Sequence, residues 1–232
     1  MPGQPNGDNL LLGFLPESVR DPLLAAGRIV SHERGSVVYS IGQPVKELAF
    51  PLTGLVSLTV DTFDGQTVEV AIIGHEGFVG VGRYLGRTTA DTNAMAQVAG
   101  DVLHMAAERF IEVTRADPQF RSMVERYVNS VLVETMQAAV CNQSHSVEQR
   151  TARWLLHASD RAGTNDLRLT HEFLSQMLSV RRPTVTTIVG VFTRARLTDG
   201  QRGLISIVDR DGLVELTCEC YSIVRAATPT YN

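Results

Sequence analysis

Residues 169–185 read Leu-Thr-His-Glu-Phe-Leu-Ser-Gln-Met-Leu-Ser-Val-Arg-Arg-Pro-Thr-Val. Thr170 precedes Phe173, Leu174, Met177 and Leu178, an apolar set at helical spacing, and Glu172 falls in the first turn, where the helix dipole favours a carboxylate. The pattern breaks at Ser179-Val180-Arg181 and restarts at Arg182-Pro183-Thr184. Proline costs nothing there, because a first-turn N–H has no helical partner to lose. Val185, Ile188, Val189 and Phe192 then share one face of a second helix. Two short helices joined by a tight turn, the second opening with arginines, predict a helix-turn-helix. Burying Val185, Val189 and Phe192 leaves Arg182, Pro183, Thr186, Thr187 and Gly190 facing outward. Arg181 and Arg182 are placed to meet guanine edges in a major groove. Thr184, Thr186 and Thr187 can reach phosphate or a thymine methyl, and Arg194, Arg196 and Arg202 are expected phosphate contacts. After Leu197, the turn Asp199–Gly203 and the run Leu204–Val208 predict a β-wing, and Asp211-Gly212 is expected to open a last helix through Tyr221.

Upstream, Ser146 with Gln149 three residues later is a capping-box signature for a helix containing Trp154, Leu155 and Leu156. Before it, Asp117-Pro118 reads as an N-cap followed by proline at the first helical position, starting a helix that runs to about Cys141. From Tyr127 through Val147 the one formal charge is Glu134. Apolar residues fall on two stripes, Phe120, Val124, Tyr127, Val131 and Ala138, and Val128, Leu132 and Ala139 with Met136 alongside. A helix docked on its own domain needs one apolar face, so the second predicts a partner, most simply the same helix of another copy. Val131 and Leu132 are expected on or beside that seam.

The first hundred residues have a different texture. Fourteen of the 19 glycines lie at or before Gly100 and none falls between residues 101 and 162, so turns are dense early and absent in the middle. Val37–Val38, Leu55–Val60, Val68–Ile73 and Val102–Met105 alternate with Gly35, Gly42, Gly54, Asp64-Gly65 and Gly74, the rhythm of an antiparallel all-β domain with a hairpin at Asp64-Gly65.

Composition limits the function classes. The 232 residues are 44% hydrophobic and 20% charged, a globular balance with room for one or two domains. The short apolar run Leu10–Leu15 is broken by Gly13 and predicts neither a secretion signal nor a membrane span, so a cytoplasmic protein with no membrane partner is expected. The net charge of −4 hides a split: residues 147–232 carry 11 arginines against 9 acidic residues. That local balance permits contact with nucleic acid. Cys141, Cys218 and Cys220 form neither a disulfide framework nor a zinc-ribbon spacing. Cys141 and His145 share a helical spacing but are only two ligands, and Cys218 and Cys220, two apart on an expected helix, would not face each other. No metal site is therefore expected. His32 and His104 are expected to be packing or surface residues of the β domain. No nucleophile elbow, phosphate loop or acid/base pair appears, so no enzyme is expected.

These features resemble the Crp/Fnr family of bacterial transcription regulators over about residues 14 to 225. The strongest matches are 169–185, the closing Cys218-Glu219-Cys220-Tyr221, and Ser146-Val147-Glu148-Gln149-Arg150. The resemblance implies an α+β chain: an antiparallel β-roll sensor domain, 1–116; a dimerisation helix, 117–144; and a winged helix-turn-helix, 145–232. It implies a homodimer on a near-palindromic operator in double-stranded DNA, with RNA polymerase as a further partner. By position, the family's base-reading arginine falls on Arg182, its acidic neighbour on Pro183, and a further arginine on Thr187. Cyclic-nucleotide-binding members hold the ribose with a glutamate and the phosphate with an arginine. Val81 and Thr92 stand at those places here, within Phe78–Leu85 and Thr92-Asn93-Ala94. Gly80, Gly82, Arg83 and Asn93, with Arg87 nearby, remain as a candidate effector pocket, and cyclic AMP is not the expected occupant. No cysteine precedes Cys141, which leaves no ligands for an N-terminal iron–sulfur cluster. No cofactor is predicted, and the small-molecule effector is unknown. The rival reading is a small-ligand sensor acting on protein partners, with a vestigial helix-turn-helix.

Overall fold

In the computed structural model, residues 9–201 and 203–231 are described; Arg202 and the first eight residues of the expected sensor domain lie outside that set. Two short helices, α1 (Leu10–Gly13) and α2 (Glu17–Ala25), lead into the strands β1 (Arg28–His32), β2 (Val37–Tyr39), β3 (Glu47–Pro51), β4 (Leu55–Asp61) and β5 (Thr67–Ile73). The one-turn helix α3 (Val81–Tyr84) separates these from β6 (Asn93–Val98) and β7 (Gly100–Ala106), which runs into α4 (Ala107–Ala116). The strands form two antiparallel sheets, ordered β1-β7-β3 and β2-β6-β4-β5. The expected hairpin is the β4–β5 connection, closed by Thr62 N–H on the Gln66 carbonyl at 2.8 Å, with Gly65 at φ +82°. Strands β1, β3 and β6 were not anticipated. In β6, Asn-Ala-Met-Ala-Gln-Val has little β-branched content and is held by cross-strand pairing with β4 rather than by its own propensity. His32 and His104 meet across β1 and β7, Nε2 to Nε2 at 3.0 Å.

Helix α5 (Pro118–Ser144) begins as expected: the Asp117 carboxylate accepts the N–H groups of Gln119 and Phe120, and Pro118 occupies the first turn. Its buried stripe, Phe120, Met123, Val124, Tyr127 and Val131, completes the core between the sheets and α4, around Phe50, Phe78 and Phe110. Tyr127 lies so close over the chain that a Cβ on Gly77 would sit 1.9 Å from its ring. Its hydroxyl donates to the Phe78 carbonyl at 2.7 Å.

Beyond α5 come α6 (Val147–Ala162), β8 (Asp166–Leu167), α7 (His171–Met177), α8 (Arg182–Arg194), β9 (Thr198–Asp199), β10 (Ile205–Ile207), α9 (Arg210–Glu215) and α10 (Cys220–Ala227). Ser146 and Gln149 form the reciprocal capping box. The three short strands form a sheet ordered β8-β10-β9. Trp154, Leu155, Leu174, Val185, Phe192 and Leu213 make a second core, which Leu55 and Ile72 of the first domain join. The single last helix expected from Asp211 is instead two: Asp209 caps α9, accepting the Gly212 N–H at 3.0 Å, and the chain breaks at Thr217-Cys218 before α10. Cys218 therefore lies outside a helix, contrary to expectation. Among the described residues, no helix is long and apolar enough to cross a membrane.

Candidate nucleic-acid interface and sensor pocket

Helices α7 and α8 are joined by a turn whose sharpness rests on Ser179, at φ +51°. Thr170 caps α7 by accepting the Phe173 N–H at 3.2 Å. Val185, Val189 and Phe192 are buried, whereas Arg181, Arg182, Pro183, Thr184, Thr186 and Thr187 are exposed along the other face of α8. Gly190 is half-buried on that side, and its missing Cβ would meet only the Arg194 guanidinium, at 3.6 Å. Arg182 is 66% exposed and lies 3.8 Å from Glu172, a loose pair that leaves its guanidinium free to turn. Thr187 donates to the Pro183 carbonyl at 3.0 Å, so its hydroxyl proton is spent on the helix. Thr186 Oγ1 lies 3.1 Å from His171 Nδ1; burial and the nearby Arg182 lower the pKa of that imidazole. Between α8 and the β9–β10 wing runs a groove of about 650 Å³ bordered by Thr186, Gly190, Thr193 and Gly200. Arg194 and Arg196 are exposed at the far end of α8.

The residues read as a candidate effector pocket offer a different chemistry. Gly80 takes φ +110°, and a Cβ there would sit 2.7 Å from Leu48, so the turn into α3 is built for glycine. Val81 packs on the domain core. Arg83 is ion-paired with Glu108, and Arg87 with Asp91 at 2.9 Å. Asn93 accepts the Ile41 N–H and donates to Asp61, each at 2.8 Å. The two guanidiniums available to an anion are already matched by carboxylates. An anion bound there would have to draw one of these guanidiniums away from its carboxylate.

On α5, the stripe Phe120, Val124, Tyr127, Val131 and Ala138 is buried within the chain. Val131 packs on its own domain, so of the two residues expected on or beside the seam Leu132 is the exposed one. The outward stripe is Val128, half-buried, with Leu132, Met136, Ala139 and Val140 exposed; Leu132 is 56% and Met136 51% accessible. Glu134 faces inward, where its Oε1 receives the Arg161 guanidinium at 2.7 Å and the Ile72 N–H at 3.2 Å. Arg161 also lies 3.4 Å from Glu76. This buried group, joining α5, α6 and the end of β5, escaped the sequence reading because nothing local links residues 76, 134 and 161.

Cys141 and His145, read as only two ligands, and Cys218 and Cys220, expected not to face each other, converge where α5 meets α10. The available signal was two ligand pairs, Cys-x3-His and Cys-x-Cys, each too small alone.

Profiles of known families match two parts of the chain: a cyclic nucleotide-binding domain over residues 29–117 and a Crp-like helix-turn-helix domain over residues 149–216. A global nitrogen regulator of Nostoc sp. (strain PCC 7120) is 22% identical over 171 residues, covering 70% of this chain and 77% of the relative. Among solved structures, FixK2 from Bradyrhizobium japonicum superposes with a TM-score of 0.69 at 14% identity, covering 83% of this chain and 98% of that one. A transcriptional regulator of the CRP/FNR family from Thermus thermophilus gives 0.63 at 23% identity, covering 82% and 97%. The c-di-GMP responsive global regulator CLP of Xanthomonas campestris gives 0.65 at 15% identity, covering 83% and 99%. At these identities the structural likenesses establish the fold.

Proposed function

We propose, since the chain belongs to the Crp/Fnr family of transcription regulators, that it binds near-palindromic duplex DNA as a homodimer and acts by binding rather than by catalysis. The observation that carries this reading is the division of α8: Val185, Val189 and Phe192 are buried, while Arg181, Arg182, Thr184 and Thr186 stand exposed beside a wing. Such a helix presents its first turns to the major groove, and two of them serve half-sites about one helical turn, ~34 Å, apart. The outward stripe of half-buried Val128 with exposed Leu132, Met136 and Ala139 supplies the seam that a two-fold pair needs. In this reading the protein works in the cytoplasm, with RNA polymerase as the partner through which binding changes transcription. The exposure of the reading face, with no packing of its own to serve, speaks against a vestigial module.

An effector of a class other than cyclic AMP would act by changing how the β domain packs on α5, and so the spacing of the two reading helices. The test is selection of bound duplexes from a random pool by the full-length chain. An inverted repeat with half-sites one turn apart is the expected result. Recovery of sequences without a repeat, with binding set by salt alone, would contradict it.

A further inference from the structure

We propose that Cys141, His145, Cys218 and Cys220 form a mononuclear zinc site that staples the C-terminal end of α5 to α10. The one ligand atom of each residue lies within 4.8 Å of every other. Cys141 Sγ is 3.6 Å from Cys218 Sγ, and Cys220 Sγ is 3.6 Å from His145 Nδ1. A tetrahedral ion with Zn–S near 2.3 Å requires S···S edges of about 3.8 Å, and slightly shorter S···N edges. These two edges match one tetrahedral ion, the other four lie within 4.8 Å, and the three cysteines are free thiols.

The backbone explains how four residues separated by up to 79 positions meet. Helix α5 ends at Ser144, and His145 turns to an extended conformation, φ −113° and ψ 150°, which swings its ring back beside Cys141. Cys218 occupies the break between α9 and α10, and Cys220 opens α10, so neither is bound by helical geometry to point away from the other.

Two surrounding features suit a metal better than three idle thiols. First, with Nδ1 turned toward the sulfurs, His145 Nε2 lies 3.2 Å from the Glu219 carboxylate. A carboxylate on the far nitrogen fixes the tautomer whose Nδ1 lone pair is free to coordinate, and raises its basicity. Second, three thiolates, a neutral imidazole and Zn²⁺ carry a net charge of −1, and the buried Arg153 lies close enough to act electrostatically on Cys141 and Cys220. Its Nε has no hydrogen-bond partner among the described residues. The three cysteines are buried together and the histidine side chain is 12% exposed, leaving no open coordination position for catalysis. S₃N donors in a tetrahedron select zinc over the oxygen-seeking ions. Binding releases the protons of the three thiols, so uptake weakens as pH falls.

The test uses the full-length chain purified under reducing conditions without chelator. Metal analysis is expected to find one zinc per chain. Exchange for Co²⁺ is expected to give the strong visible bands and near-ultraviolet thiolate charge-transfer band of a tetrahedral thiolate-rich site. Cys220→Ala should abolish both signals while far-ultraviolet circular dichroism is retained. Should that variant not fold, Glu219→Gln carries the test, with an expected loss of zinc affinity of about 10–100-fold in a folded chain. The proposal is overturned if reduced wild type surrenders added zinc completely to a weak chelating dye, if its Co²⁺ form lacks the thiolate band, or if folded Glu219→Gln binds zinc as wild type does. None of these readouts involves DNA.

Discussion

The indole N–H of Trp154 donates to Glu69 Oε1 at 2.7 Å, tying α6 of the winged domain to strand β5 of the sensor domain. The other oxygen of Glu69 accepts from Ser57 at 2.5 Å and Gln97 at 2.7 Å. Loss of hydration nonetheless outweighs these donors and pushes the carboxyl up to about 7.

That shift has a definite sign. The folded chain holds the Glu69 proton to higher pH than the unfolded chain does, so the contribution to stability is complete below the ordinary carboxylate range and is lost as pH rises through about 7. Thermal unfolding of wild type and Glu69→Gln across pH 4 to 8 should show the variant gaining on wild type as pH rises, since its amide never charges. A constant difference across this range would assign the carboxylate an ordinary pKa.

Arg161 stands between Glu134 and Glu76, with all three buried. Replacing it by methionine strands two carboxylates and should cost ~3–5 kcal/mol in urea unfolding, the usual penalty for breaking a buried pair from one side. Adding Glu134→Leu should recover part of that loss. A single-variant loss below ~1 kcal/mol would mean that water reaches the group.

Leu132→Asp should convert the proposed homodimer to a folded monomer, because it places like charges together across the proposed seam without touching the core. Val131→Asp should instead lower the melting temperature sharply, since Val131 is buried on its own domain. Sedimentation velocity beside calorimetry separates the two. A Leu132→Asp chain that stays dimeric would remove this stripe as the seam.

Arg182→Ala should weaken the selected duplex by ~1–3 kcal/mol and random duplex little, as expected for a base contact. Arg194→Ala should weaken both and reduce the salt slope by about one. Mobility-shift titrations at several salt concentrations distinguish these patterns, and an equal Arg182→Ala loss on both duplexes would make that residue a phosphate contact.

What could be read from the sequence was what local chemistry decides. Asp117, Ser146 and Thr170 cap their helices within three residues, so the sequence alone places those boundaries. The two stripes of α5 were visible in its spacing, but Val131 and Leu132 are adjacent, and only packing assigns one inward and the other outward. Glu134 stood out as an isolated charge, although its partners are 27 and 62 positions away. The break at Thr217-Cys218 interrupts an apolar pattern that continues through it, which made two helices look like one. The candidate DNA face was legible because α8 is amphipathic, whereas the cysteine cluster depends on α10 packing back on the end of α5, which no local pattern records.

Helix α5 has 27 residues, and at ~1.5 Å per residue it is a rod of roughly 40 Å. Its first half is embedded among Phe50, Phe78 and Phe110, while its far end abuts α10. A rod held in this way is a lever arm. Tilting it by about 5° where it leaves that core carries the remaining ~20 Å through ~1.7 Å, about half the rise of one base pair. In the proposed DNA complex, a small rearrangement of the first domain would therefore shift a reading helix by a fraction of a base-pair step.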